Sequence, residues 1–440
     1  MKKSLSFLVF FTLAFSSIAQ IPSGYYQGTE NLEGTALRAA LHEIIDNHTS
    51  VSYTSLWTHF QQTDKKANGK VWDMYSDVPG GTPPYEFTFG SDQCGNYGQE
   101  SDCYNREHSW PQSWFNSQSP MTSDLFHLYP TDGYVNGRRS NYPFGEVGTA
   151  TWTSQNGSKV GTCDYPGYSG TVFEPIDAYK GDFARTYFYM STRYYTEDSG
   201  WETNGMVDGA DLEPWAKNML MEWHVNDPVS TKEINRNNAV YAIQQNRNPF
   251  IDEPEFAHLI FADTYPAPVI DPFQVDTAYE TQNYELVILG SDPQGLAIQF
   301  EPVELPGWLQ WSADATSLVL SGSPSASDYG NHVVSFTYRN AYSMPEILEF
   351  EIFADVLTLQ EEALIPSWSV YPNPAASEVR FEGLSSQNLK RIWLSDQQGR
   401  ILKEINLNSS SIPVSDFPSG FYFLNLEGTH FRDQKMIVVQ

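Results

Sequence analysis

The 440-residue chain is too long for one ordinary domain, and with 40% hydrophobic and 15% aromatic residues it is composed to fold rather than to stay disordered. A formal net charge of −29 excludes a broadly basic surface, the footprint of a tight or processive nucleic-acid binder, although it leaves room for a local site whose positive charge comes from a metal ion. Three cysteines are too few for a disulfide scaffold, and none stands at zinc-site spacing from another ligand.

The N-terminus, MKKSLSFLVFFTLAFSSIAQ, joins Lys2 and Lys3 to an apolar run from Leu5 to Phe15 and then to the small residues Ser17 and Ala19. That order predicts a signal peptide over residues 1–19, cut after Ala19, because the run is shorter than the roughly 20 residues a membrane span needs. Export into an oxidising compartment follows, where Cys94 and Cys103 are able to close a short loop and Cys163 is left over.

Residues 20–264 read as one α+β domain. Leu37, Leu41, Ile44 and Ile45 recur at helical spacing, and the alternation of Tyr85 to Gly90 predicts a strand. Further helices are expected over GDFARTYFYMSTRYY (181–195) and after Ser230, where Ser230 and Glu233 form a capping box.

Chemistry concentrates in YNREHSWPQSWF (104–115) and SDLFHLYPTDGYVNGRRSNYPFG (123–145). Glu107 is a carboxylate suited to a hard divalent cation such as Mg²⁺, which prefers oxygen and needs only one or two protein groups. The amide oxygen of Asn136 offers a second ligand, although Asn136 before Gly137 also fits a plain helix C-cap or turn. His108 has the chemistry of a general base near neutral pH. Neighbours in a strand face opposite ways, so Glu107 and His108 serve one substrate only at a strand end, and Pro111 supplies that end. A second strand over HLYP and a short helix over TDGYVNGRRSN, capped by Thr131 or Asp132, would bring Asn136 back over Glu107. His127 either lines the site or packs behind it, and Asp124 reads as a cap or as the partner that orients a histidine.

With NREH-x-W-P, SDL-x-H-L-x-P, VNG-x-RSN-x-PFG, KGD-x-AR-x-YFYM and NRNPFID-x-PE in this order, residues 22–262 closely resemble the bacterial endonuclease I family of periplasmic and secreted nonspecific nucleases. The resemblance implies a ββα-metal (His-Me finger) fold, DNA and RNA as substrates, Mg²⁺ (or Mn²⁺ or Ca²⁺) as cofactor, Glu107 and Asn136 as its ligands, and His108 as the base. Asn136, rather than Asn141, stands at the family's VNG position. Some members carry an insertion bearing an arginine that touches the scissile phosphate. Here that arginine has no clear counterpart, and Arg139 and Arg185 are the substitutes, with a structural ion pair as the alternative for Arg185.

From YPAPVIDPF (265–273) to residue 357 the chain reads as a small β-sandwich resembling immunoglobulin-like or cadherin-like modules. After a linker near 357–366, residues 358–440 carry SVYPNPAASEVRF, IWLSDQQGRIL, PSGFYFLNL and KMIVV, which resemble the C-terminal sorting domain of the type IX secretion system. A secreted or cell-surface monomer that engages the secretion machinery is expected. The β modules leave one rival, a surface adhesion or glycan-binding protein with an inactive nuclease-like domain, which would have no use for Glu107, His108 and Asn136 together.

Overall fold

A computed structural model describes residues 21–356, 368–384, 389–428 and 431–440. The predicted signal peptide and the linker near 357–366 lie outside these residues. The chain divides into two compact units that meet between Thr264 and Tyr265.

The first unit is built on its most deeply buried helix. Helices α1 (Gly34–Ile45) and α2 (Leu56–Thr63) come first, and α4 (Lys180–Tyr194) is buried along its whole length. α4 packs against α1, against α5 (Pro214–Asn226) and against the helix Glu255–Phe261. A helix buried all round must satisfy its polar groups internally. Tyr187 therefore donates to Ser109 O at 2.8 Å, and Tyr189 and Tyr194 donate to Asp124 Oδ2 at 2.8 and 2.7 Å. These hydroxyls fasten the segment from Ser109 to Asp124 to the core. The predicted capping box of α6 (Thr231–Gln244) is present, with Ser230 and Glu233 bonding each other's backbone.

Strand β1 (Tyr104–His108) pairs antiparallel with β2 (Leu128–Asp132), from Tyr104 opposite Asp132 to His108 opposite Leu128. Helix α3 (Gly133–Arg139) starts at once, its N-cap Asp132 accepting from Val135 N at 2.8 Å. A three-stranded sheet follows, β3 (Val147–Thr153), β4 (Lys159–Cys163) and β5 (Thr171–Glu174) in that order. The expected strand at Tyr85–Gly90 does not form. Its alternation instead points Tyr85, Phe87 and Phe89 at a cluster with Trp57, Val71 and Tyr104, and a bond from Val71 N to Phe87 O replaces a ladder. Burying one face sets the pattern, but a strand also needs a neighbour in register.

The second unit contains two sandwiches. In the first, one sheet holds Leu309–Ala313, Ser317–Gly322, Tyr284–Ser291 and Val269–Ile270, and the other Gln299–Glu304, Gly330–Arg339, Glu346–Asp355 and Ala278–Tyr279. Ile288, Leu318, Leu320, Val334, Phe336 and Ile352 fill the space between them. Strand Tyr284–Ser291 buries every second residue, as a sheet with one wet face requires. The C-terminal sandwich has sheets of three and four strands around Val379, Leu394, Leu424, Leu426 and Ile437.

Candidate active site

Side chains alternate along β1, so Asn105 and Glu107 face one way and Arg106 and His108 the other. Helix α3 meets the first face with residues three apart: Asn136 Nδ2 donates to Asn105 Oδ1 at 2.8 Å, and Arg139 Nη1 lies 3.2 Å from Glu107 Oε1. Glu107 is 2% exposed, and Tyr75 OH also donates to its Oε1 at 2.8 Å. Burial pushes its carboxyl up to about 7, against the pull of Arg139 and the Tyr75 hydroxyl.

His108 closes β1. Its Nε2 lies 3.1 Å from Thr122 O, and a carbonyl only accepts, so Nε2 carries the proton. Gln112 Nε2 donates to Nδ1 at 2.9 Å, which makes Nδ1 the lone-pair nitrogen of a neutral ring. Burial holds the imidazole well below its ordinary pKa of 6.5; His127, Arg106 and Arg139 act in the same direction and the Thr122 carbonyl opposes them. Tyr53, Phe115 and His127 surround the ring.

The remaining sequence candidates sit deeper. Arg139, 1% exposed, donates from Nη1 to His108 O at 2.9 Å and from Nη2 to Ser109 O at 2.5 Å. Its guanidinium grips the end of β1 from inside. Arg185 is wholly buried and forks onto Glu233 at 2.5 and 2.9 Å, with further bonds to His224 and to Asp227 O. None of these bonds reaches β1, β2 or α3. The ion-pair alternative therefore describes Arg185, and neither arginine is placed to meet a phosphate from solvent.

Asp124 is a hub. Besides the two tyrosines it accepts from Gln244 Nε2 and Phe126 N, both at 3.0 Å, and His48 Nε2 lies 4.0 Å away. Burial alone would raise its carboxyl, but His48, His127 and these hydrogen bonds hold it down at about 2. His127 donates or accepts nothing toward solvent and bonds Met121 O at 2.6 Å. Asn141 lies exposed beyond α3.

Tyr75, Asn105 and Gln112 were not among the sequence candidates. Strand alternation alone would have put Asn105 beside Glu107; nothing local points to Tyr75. Tyr97, from the loop closed by the Cys94–Cys103 disulfide, lies along the face of α3 that carries Gly133 and Gly137. A Cβ on Gly133 or Gly137 would come within 2.6 Å of Tyr97, which accounts for the glycine after Asn136. Cys163 is free and buried.

The donor set suits a hard divalent ion. Glu107 Oε2 and Asn136 Oδ1 have no hydrogen-bond partner among the described residues, both are oxygens, and both belong to the face where α3 meets β1. No cluster of three or more His, Cys, Asp or Glu side chains suited to a metal occurs among the described residues. One carboxylate and one amide are enough for an ion that keeps most of its waters.

β1 thus ends in a neutral imidazole and carries a buried carboxylate on its other face, where the next helix delivers an amide; comparison with known proteins gives the class of protein. Residues 33–255 match the model of the family described as Endonuclease I, and residues 369–440 match the secretion system C-terminal sorting domain. The chain belongs to the endonuclease I family. It is 34% identical over 245 residues to an extracellular ribonuclease of Bacillus subtilis (strain 168), covering 54% of this chain and 78% of that protein. It is 26% identical over 193 residues to Endonuclease-1 of Buchnera aphidicola subsp. Baizongia pistaciae, covering 44% and 65%. A periplasmic deoxyribonuclease of Aeromonas hydrophila is 26% identical over 164 residues, covering 36% and 59%.

Proposed function

We propose that this chain is a secreted, nonspecific, metal-dependent endonuclease with a ββα-metal site, hydrolysing phosphodiester bonds of DNA and RNA to leave 5′-phosphates. The observation that carries this reading is the tautomer of His108: Nε2 is tied to Thr122 O, so the lone pair sits on Nδ1 of a neutral ring at the end of β1. In the reaction His108 Nδ1 takes a proton from water as the water oxygen bonds to phosphorus. The bond from phosphorus to the 3′-oxygen breaks, and that oxygen is protonated from solvent.

Gln112 must give up its bond to Nδ1 when water takes that place. Glu107 and Asn136 would hold Mg²⁺, which when bound supplies positive charge at the phosphate and the departing oxygen. Asn105 turns the Asn136 amide so that its oxygen is the free end. Arg139 positions both Glu107 and the His108 backbone rather than touching substrate. Weak sequence preference follows, since among the described residues no helix or arginine cluster is shaped to read base edges.

The test is cleavage of plasmid and of RNA by the purified protein with Mg²⁺, with and without chelator, and analysis of the product ends. Cleavage that survives chelation, or 3′-phosphate products, would refute the mechanism.

A further inference from the structure

On the His108 side of β1, Arg106 and His108 project two residues apart, and Tyr53, from the segment leading into α2, leans on both. The guanidinium carbon of Arg106 lies 3.7 Å from the Tyr53 ring centroid. The His108 and Tyr53 centroids are 5.9 Å apart, with the rings 23° from parallel. Arg106 is itself fixed, donating from Nη1 to Tyr53 O at 2.8 Å and lying 4.6 Å from the Trp57 ring. Yet Tyr53 is 37% exposed where His108 is 5% exposed. Its hydroxyl has no hydrogen-bond partner among the described residues, so the ring is held by π contacts and by its backbone alone.

A clamped, solvent-facing aromatic ring beside the base has one evident complement in a nucleic acid. We propose that Tyr53, backed by Arg106, is a stacking platform for an unpaired nucleobase flanking the scissile phosphate, which makes single-stranded nucleic acid the preferred substrate. This rests on His108 being the base. Every nucleobase has a π face, so stacking binds without reading sequence, in keeping with a nonspecific enzyme. Bases in a duplex are already stacked on their neighbours and reach Tyr53 only at the cost of unstacking. Arg106 adds a fixed positive charge under the ring, which attracts the backbone locally on a chain whose net charge repels it.

The test compares the wild-type protein with Tyr53→Ala and Tyr53→Phe on three substrates: a single-stranded 12-mer oligonucleotide, the same strand paired to its complement, and a 12-mer of abasic phosphodiester units. Wild type and Tyr53→Phe should show a KM for the single strand roughly 5- to 100-fold below that for the abasic strand, the range expected of one base–aromatic stack. Tyr53→Ala should abolish that gap and the preference over duplex, with kcat changed less than KM. A gap that persists in Tyr53→Ala, or a loss in kcat alone, overturns the platform and leaves Tyr53 as packing for His108. Wild-type protein that cleaves none of the strands with Mg²⁺ would instead remove the nuclease reading, and the platform with it.

Discussion

Arg139 Nη1 lies 3.2 Å from Glu107 Oε1 and donates to His108 O, so one buried guanidinium ties together a side chain on one face of β1 and the backbone of the residue that faces the other way. Removing it strands a carboxylate that is 2% exposed. Arg139→Met is expected to cost about 3–5 kcal/mol of stability, the usual result of breaking a buried pair from one side. Arg139→Lys should recover only part, because the point charge of an ammonium lacks the planar fork that spans both carbonyls and Glu107. Urea unfolding of the three proteins measures this, and an unchanged midpoint for Arg139→Met would show that the tie bears no load.

His108→Ala should lower the cleavage rate at least ~10²-fold, the contribution expected of a general base. Metal affinity should barely change, because His108 is not a ligand in the proposed site. Turnover on plasmid, with metal binding followed by calorimetry, checks both; near-normal cleavage would refute the assignment.

Glu107→Ala and Asn136→Ala should weaken metal binding, with part of the lost activity restored at high Mg²⁺ or Mn²⁺. Asn141→Ala should be silent, since Asn141 lies exposed past the end of α3. A metal titration in which Asn141→Ala loses binding and Asn136→Ala keeps it reverses the choice between them.

Asp124 gives the fold an acid-sensitive joint. Its folded pKa of about 2 lies below the unfolded value of roughly 3.9, so its stabilisation is fully present above about pH 4 and is lost as pH falls through 2. A shift of that size corresponds to about 2–3 kcal/mol at neutral pH. Asp124→Asn should therefore be clearly less stable than wild type at pH 7, with the difference shrinking near pH 2.5. Equal differences at both pH values, read from denaturant midpoints, would mean that the charge of Asp124 is not what holds the tyrosines.

Truncation after residue 264 should leave a soluble, active nuclease, because the first unit buries its own core and holds every proposed site residue. Removing residues from about 366 onward should instead leave activity intact and strand the protein in the periplasm. Activity of the purified truncations and fractionation of expressing cells separate the two claims: secretion without the tail would refute its sorting role, and an inactive purified truncation would refute the independence of the first unit.

Signals carried by neighbours in sequence are legible in the sequence itself. Pro111 ending β1 just after His108, a cap for α3 at Thr131 or Asp132 (the structure uses Asp132), the Ser230 and Glu233 box and the alternation of Tyr284–Ser291 each depend on residues a few positions apart, and local backbone geometry leaves them little choice. Tertiary structure decided what those elements meet. Tyr85–Gly90 has a strand's alternation but finds no ladder, and Asp124 is fixed by Tyr189, Tyr194 and Gln244, 65, 70 and 120 positions away. In the sequence Arg139 and Arg185 are both available to a phosphate, with an ion pair as the alternative for Arg185, because a guanidinium pairs as readily with an internal carboxylate as with a substrate. Only packing, which buries the first against Glu107 and the second against Glu233, turns both inward, and a cation taken out of water is held there by its buried partner rather than offered to a ligand.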